Sequence, residues 1–122
     1  MSNAVNNVNI ADGTHVLSRQ AGGNPQFIYP LFDAANAALT GRPTLFFRVQ
    51  KGSGAGTITL EIRMNTVVVF TSSFGSETLR GLHEIVDNNV LQLVGNELVI
   101  EATAGTGTID VSDVLLYYPT TV

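Results

Sequence analysis

The chain has 122 residues, a formal net charge of −4 and no cysteine, so it fits one domain held together without disulfides or a thiolate metal site. Only 13% of the residues are charged, against roughly 25% in an average globular protein, and the six basic ones, Arg19, Arg42, Arg48, Lys51, Arg63 and Arg80, are scattered. That excludes a basic stripe able to follow nucleic acid or an anionic membrane surface, and no stretch approaches the ~20 apolar residues of a membrane span.

Met1 to Asn9 carries neither the basic nor the apolar region of a signal peptide, which predicts no secretory address and leaves virion, extracellular and cytoplasmic settings open. Within this segment Asn6 to Asn9 alternates Asn and Val, and Asp12-Gly13 suits a tight turn with positive φ. Two readings stand: a first hairpin, or a loose arm over residues 1–13 followed by a strand from Thr14 to Gln20. Gln26 to Phe32 is extended and aromatic, with Phe27, Tyr29 and Leu31 on one face, and Pro30 marks an edge strand or a strand end. Asp33 to Leu39 is the only candidate helix: Asp33 caps it, its alanines favour it, Gly41 ends it and Pro43 prevents its return.

Leu45, Phe47 and Val49 form the inward set of the next strand, with Phe46, Arg48 and Gln50 outward. Thr57 to Met64 follows, in which Ile58, Leu60, Ile62 and Met64 alternate without a miss against Thr57, Thr59, Glu61 and Arg63. Asn65-Thr66 turns the chain into Val67 to Thr71. Thr is ill suited to positive φ there, which predicts a longer loop or a bulge. Leu79 to Val86 is a weaker strand interrupted by Gly81, and Asp87 to Val94 is a loop. Gly95-Asn96 then launches Glu97 to Ala102, with Leu98, Ile100 and Ala102 facing the core.

The last strand, Ile109 to Tyr118, contains a fault. Ile109 and Val111 stand in one phase, and Val114, Leu116 and Tyr118 in the other. A bulge at Ser112-Asp113 restores the register, with the Asp113 carboxylate expected to accept backbone N–H bonds and to hold no metal. The whole pattern predicts an all-β fold, an antiparallel jelly-roll β-sandwich with at most one short helix, as a single domain over residues 1–122.

From Leu45 to Tyr118 the order of elements resembles the jelly-roll sandwiches of the galactose-binding-like superfamily. The likeness rests on the strand-loop-strand Leu45 to Met64, the Asn65 hairpin, Asn89-Val90-Leu91 followed by Gly95 to Ile100, and the closing Ile109 to Val114. It implies a binding module, although the Trp that forms the sugar platform in that superfamily has no counterpart here.

Catalytic signals are weak. His15 and His83 are the only histidines, neither lies in a nucleophile or metal motif, and His83-Glu84 would project to opposite faces of a strand. Gly52 to Gly56 and Gly105 to Gly107 sit between strands, with no following helix to hold phosphate. The expectation is a non-enzymatic structural or adhesion module without a cofactor. It self-associates or docks into a larger assembly of the phage, virion or injection-machine kind, through outward apolar groups such as Phe46 and Val99. The alternative is a carbohydrate-binding module in which Tyr29, Phe32, Tyr117 or Tyr118 stacks on a sugar ring.

Overall fold

The computed structural model describes residues 4–121, which form eight strands: β1 (Ala4–Ser18), β2 (Gln26–Ile28), β3 (Thr44–Lys51), β4 (Ile58–Met64), β5 (Val67–Phe74), β6 (Arg80–Ile85), β7 (Leu98–Gly105) and β8 (Thr108–Thr120). They make two antiparallel four-stranded sheets, a front sheet in the order β1-β8-β3-β6 and a back sheet in the order β2-β7-β4-β5. The molecule is therefore an all-β sandwich. Among the described residues no helix is long and apolar enough to cross a membrane.

Strict alternation puts Leu45, Phe47 and Val49 of β3 against Ile58, Leu60, Ile62 and Met64 of β4, all buried. Leu98, Ile100 and Ala102 of β7 join them, as do Ile109, Val111, Val114 and Leu116 of β8. Each such large aliphatic side chain contributes about 1.5–3 kcal/mol by leaving water.

β8 carries the bulge that its sequence demands. Ser112 pairs with Thr14 and Arg48, the next pairs are Ala11 with Val114 and Phe46 with Leu115, and Asp113 is the extra residue at φ 53°. The carboxylate, however, is half-exposed and pairs with Arg48 Nη1 at 3.3 Å, so the expected bonds to backbone N–H groups are corrected. The bulge lifts the side chain off the sheet toward solvent.

The amino-terminal segment is neither a hairpin nor a loose arm. From Ala4 onward it is one long edge strand along β8, and Asp12-Gly13 is absorbed into the second of two bulges, between Ala11 and Thr14. Met1 to Asn3 lie outside the described residues.

Asp33 to Leu39 is not helical. Asn36 sits at φ 60°, the Ala38 N–H bonds Pro119 O rather than a carbonyl one turn back, and Asp33 Oδ1 accepts from Gly95 N at 2.9 Å. Small side chains let this segment press Ala34 and Ala37 into the core, and that burial outweighs the helical preference of alanine. Pro30 ends β2 early, so Leu31 turns outward against expectation and Phe32 takes the inward place through a bridge to Asn96.

The β4–β5 turn stays tight, with Asn65 at φ 51° and Thr66 at φ 71°. The bulge predicted there appears further along, where Ile62 pairs with Phe70 but Arg63 with Val68.

A left-handed φ costs an alanine about 1–2 kcal/mol and a glycine nothing, whereas aspartate tolerates it. Asp113→Ala is therefore expected to lower unfolding stability in urea by about 1 kcal/mol, with Asp113→Gly close to the parent. Equal loss in both variants would show that the ion pair to Arg48, not the backbone, sets the cost.

Candidate functional site

Cross-strand register lays the outward side chains of the front sheet in rows. Asn7, Tyr117, Thr44 and Ile85 stand side by side, then Asn9, Leu115, Phe46 and His83, then Ser112, Arg48 and Gly81. At the centre Phe46 and Tyr117 are each 39% exposed, in edge-to-face contact with centroids 5.4 Å apart. The His83 ring lies 5.8 Å from Phe46 on the other side. Exposed rings that contact one another are held in place by that contact and so present a rigid apolar surface.

Two open hollows flank the rings. One, about 440 Å³, is lined by Thr44, Phe46, Leu115 and Tyr117. The other, about 320 Å³, lies between Phe46, Arg48, His83 and Asp113, and it exists because Gly81 has no side chain to fill it. Its rim combines five guanidinium donors with carboxylate acceptors, while the Arg48–Asp113 pair is solvated enough to exchange partners at little cost. Aromatic platform, hydroxyl and amide neighbours, and an exchangeable donor–acceptor pair together suit a polar ligand with a flat apolar side.

Of the residues singled out by sequence, only Phe46 and Tyr117 meet on this surface. Tyr29, Phe32 and Tyr118 are buried in the core, so none of them is displayed as a platform. Tyr118 follows the phase that the β8 bulge sets, and its hydroxyl lies 3.3 Å from both Asn6 Nδ2 and Ala35 O. Val99 does stand on the outer side of the back sheet, yet it is only 6% exposed, flanked by its cross-strand partners Ile28 and Arg63. Sequence alone gives Arg48, Gly81, Thr44 and Leu115 no role at a site, and it weighs His83 and Asp113 only for acid/base and metal chemistry. Their alternation was visible, but the pairing that gathers them was not.

The back sheet carries a different surface. Arg63 sits between Glu61 and Glu101, 3.1 Å from the latter. Partial burial pulls its pKa down, but hydrogen bonds and charge from the two carboxylates more than offset this and raise it. His83 and Glu84 face opposite ways, pairing with Phe46 and Leu45, so they do not converge as an acid/base couple. Among the described residues no group of three His, Cys, Asp or Glu side chains is placed to hold a metal ion.

No protein-family model and no curated protein sequence matches the chain. Solved structures do. Dimeric latent PorU from Porphyromonas gingivalis superposes with a TM-score of 0.61 at 12% identity, over 93% of this chain but only 13% of that one. The K1 cleaved adhesin domain of Lys-gingipain from Porphyromonas gingivalis W83 gives 0.53 at 10% identity, over 92% and 89% of the two chains. The CBM36-1 domain of a multidomain xylanase from the hindgut metagenome of Trinervitermes trinervoides gives 0.50 at 11%, over 99% and 100%. At such identities the likeness is one of fold, in keeping with the jelly-roll resemblance read between Leu45 and Tyr118.

Tyr29 instead belongs to a cluster between β1 and β2, where His15 stacks on Phe27 at 3.9 Å and Tyr29 meets both rings edge-on. Its hydroxyl and His15 Nδ1 are buried without a hydrogen-bond partner among the described residues. Burial pushes the Tyr29 pKa well above its ordinary 10.0. The neutral form is thus favoured by the fold, and this contribution is complete below pH ~10 and is lost as pH rises toward the folded-state value. Tyr29→Phe should be neutral or stabilising by about 1 kcal/mol at pH 7, since it removes a buried unpaired hydroxyl. It should also flatten the fall in stability above pH 10. Urea titrations at several pH values check both, and a large loss at pH 7 would reveal a partner for the hydroxyl.

Proposed function

We propose that the chain is a non-catalytic recognition module that holds a glycan against the outer face of the front sheet. The observation that carries this reading is the exposed Phe46–Tyr117 pair set between two open hollows and ringed by hydroxyl, amide, guanidinium and carboxylate groups. A sugar presents C–H groups on one face of its ring and hydroxyls around the edge. The apolar side stacks on an aromatic ring, while Arg48, Asp113 and Thr44 exchange hydrogen bonds with the hydroxyls. Likeness of fold to an adhesin domain and to a CBM36-1 domain is compatible with this use and does not decide it.

Titration calorimetry against a panel of oligosaccharides tests the reading. Phe46→Ala and Tyr117→Ala are expected to weaken binding at least about ten-fold each, equivalent to ~1.4 kcal/mol, with a modestly lowered melting temperature but an intact fold because both rings point out of the core. Gly81→Val should weaken it as well by filling the second hollow, where an added Cβ meets nothing within 4 Å. No binding at millimolar glycan, or parent-like binding by the ring variants, would sink the proposal.

A second reading, docking of the domain into an assembly, draws on a separate patch. Leu31, Leu39, Leu93 and Val94 are exposed on two loops that are tied together by the Ala34–Leu93 and Asn89–Leu39 backbone bonds. Light scattering should then show association at micromolar concentration that Leu93→Ser with Val94→Ser abolishes. A strict monomer over that range counts against it.

A further inference from the structure

The front sheet ends at β6 and the back sheet at β5, and these two free edges lie along the same open side of the sandwich. The Val86 N–H donates to Pro43 O at 2.8 Å, which fixes the hydrogen-bonding phase of β6 against β3. In an antiparallel pair alternate residues turn their main-chain groups away from the partner. Gly81, His83 and Ile85 therefore present N–H and C=O groups to the open edge.

Beside that edge lie two hollows of about 210 and 330 Å³, which share Val68, Val69 and Glu84 and so form one groove along β5. Its lining mixes the apolar side chains of β5 with Thr71, Ser72, Glu84 and Asp87. Val67, Val68 and Ile85 each remain about half-exposed. Glu84, in the inward phase of β6, and Asp87 supply only negative charge, and the lining holds no Lys or Arg among the described residues.

We propose that this groove receives one extended segment of a partner protein, which adds to β6 as a further antiparallel strand and whose groove-facing side chains, every second residue, include both apolar and basic groups. Main-chain bonds to Gly81, His83 and Ile85 hold the segment. One side-chain set points into the groove, where Val68 and Val69 meet apolar groups and Glu84 and Asp87 meet cations. A second copy of this chain is the poorer occupant, because it brings net negative charge and its own Glu84 to a groove that is already acidic.

The test uses a labelled ten-residue peptide in which every second residue is in turn valine and lysine, with threonine between, read by fluorescence anisotropy, with a glutamate-for-lysine peptide as the control. Binding is expected for the lysine peptide and not the control, and weakened at least about ten-fold by Glu84→Gln with Asp87→Asn. Amide exchange at Gly81, His83 and Ile85 should slow on binding. Equal binding of both peptides, indifference to the double variant, or unslowed exchange at β6 overturns the proposal. So does protection of the same amides by self-association without peptide. The glycan reading stands or falls separately on Tyr117→Ala, since Tyr117 lies on β8 of the front face whereas Glu84 and Asp87 line the groove.

Discussion

The single extra residue at Asp113 is the constraint from which the front sheet takes its arrangement. β8 is paired on both sides, by β1 and by β3, so its register fixes theirs. Without the bulge one half of the strand would face the wrong way. Val114, Leu116 and Tyr118 would enter solvent while Leu115 and Tyr117 were driven into the core, because a slip of one residue inverts every following side chain. With it, both halves bury their aliphatic groups, and Tyr117 comes out beside Phe46. The core and the aromatic surface thus depend on one backbone irregularity, and β1 answers it with compensating bulges at Asn9–Ala11 and Ala11–Thr14.

A second device holds the loops at the end of the sandwich. Asn96 is fully buried and uses its whole amide: Nδ2 donates to Phe32 O and Gln92 O, and Oδ1 accepts from Gln92 N and Asn65 Nδ2. Asn65 in turn donates to Val90 O and accepts from Glu97 N. Each bond contributes only about 1 kcal/mol net, but a buried group left unpaired costs about 1–3 kcal/mol, so the network is stable as a whole and expensive to break in part. It also explains how a threonine endures φ 71° at position 66. Asn65 is locked from three sides, and the turn has nowhere else to go.

Legibility in the sequence followed the reach of each interaction. Alternation is a local property, so the inward sets of β3, β4, β7 and both halves of β8 could be read directly, and the phase break even located the bulge. What covers a strand is not local. Val99 was rightly placed on the outer side, yet nothing in its own segment reveals that Ile28 and Arg63 flank it. Asp33 to Leu39 has helical composition but gains more by burying Ala34 and Ala37 and by bonding Pro119 O, a partner some eighty residues away. The aromatic surface needed the same long-range information. Phe46 and Tyr117 lie far apart in sequence, and only strand pairing makes them neighbours.

The two outer faces also differ in how far their polar groups are already satisfied. On the back sheet Arg63 is held by two carboxylates in a half-buried setting, and Thr59 bonds Ser73 across the strands at 2.7 Å. A ligand arriving there would have to break one good contact for every one it made. On the front sheet Arg48 and Asp113 meet only at 3.3 Å, with more than half and half of their side chains in water, and the adjacent rings offer an apolar area with no competing partner. Exposed pairs of that kind contribute little to stability, so exchanging them for a ligand's hydroxyls costs little, while covering the rings is favourable. The balance of desolvation against new contacts therefore favours the front sheet over the back sheet as the face for the glycan contact proposed above.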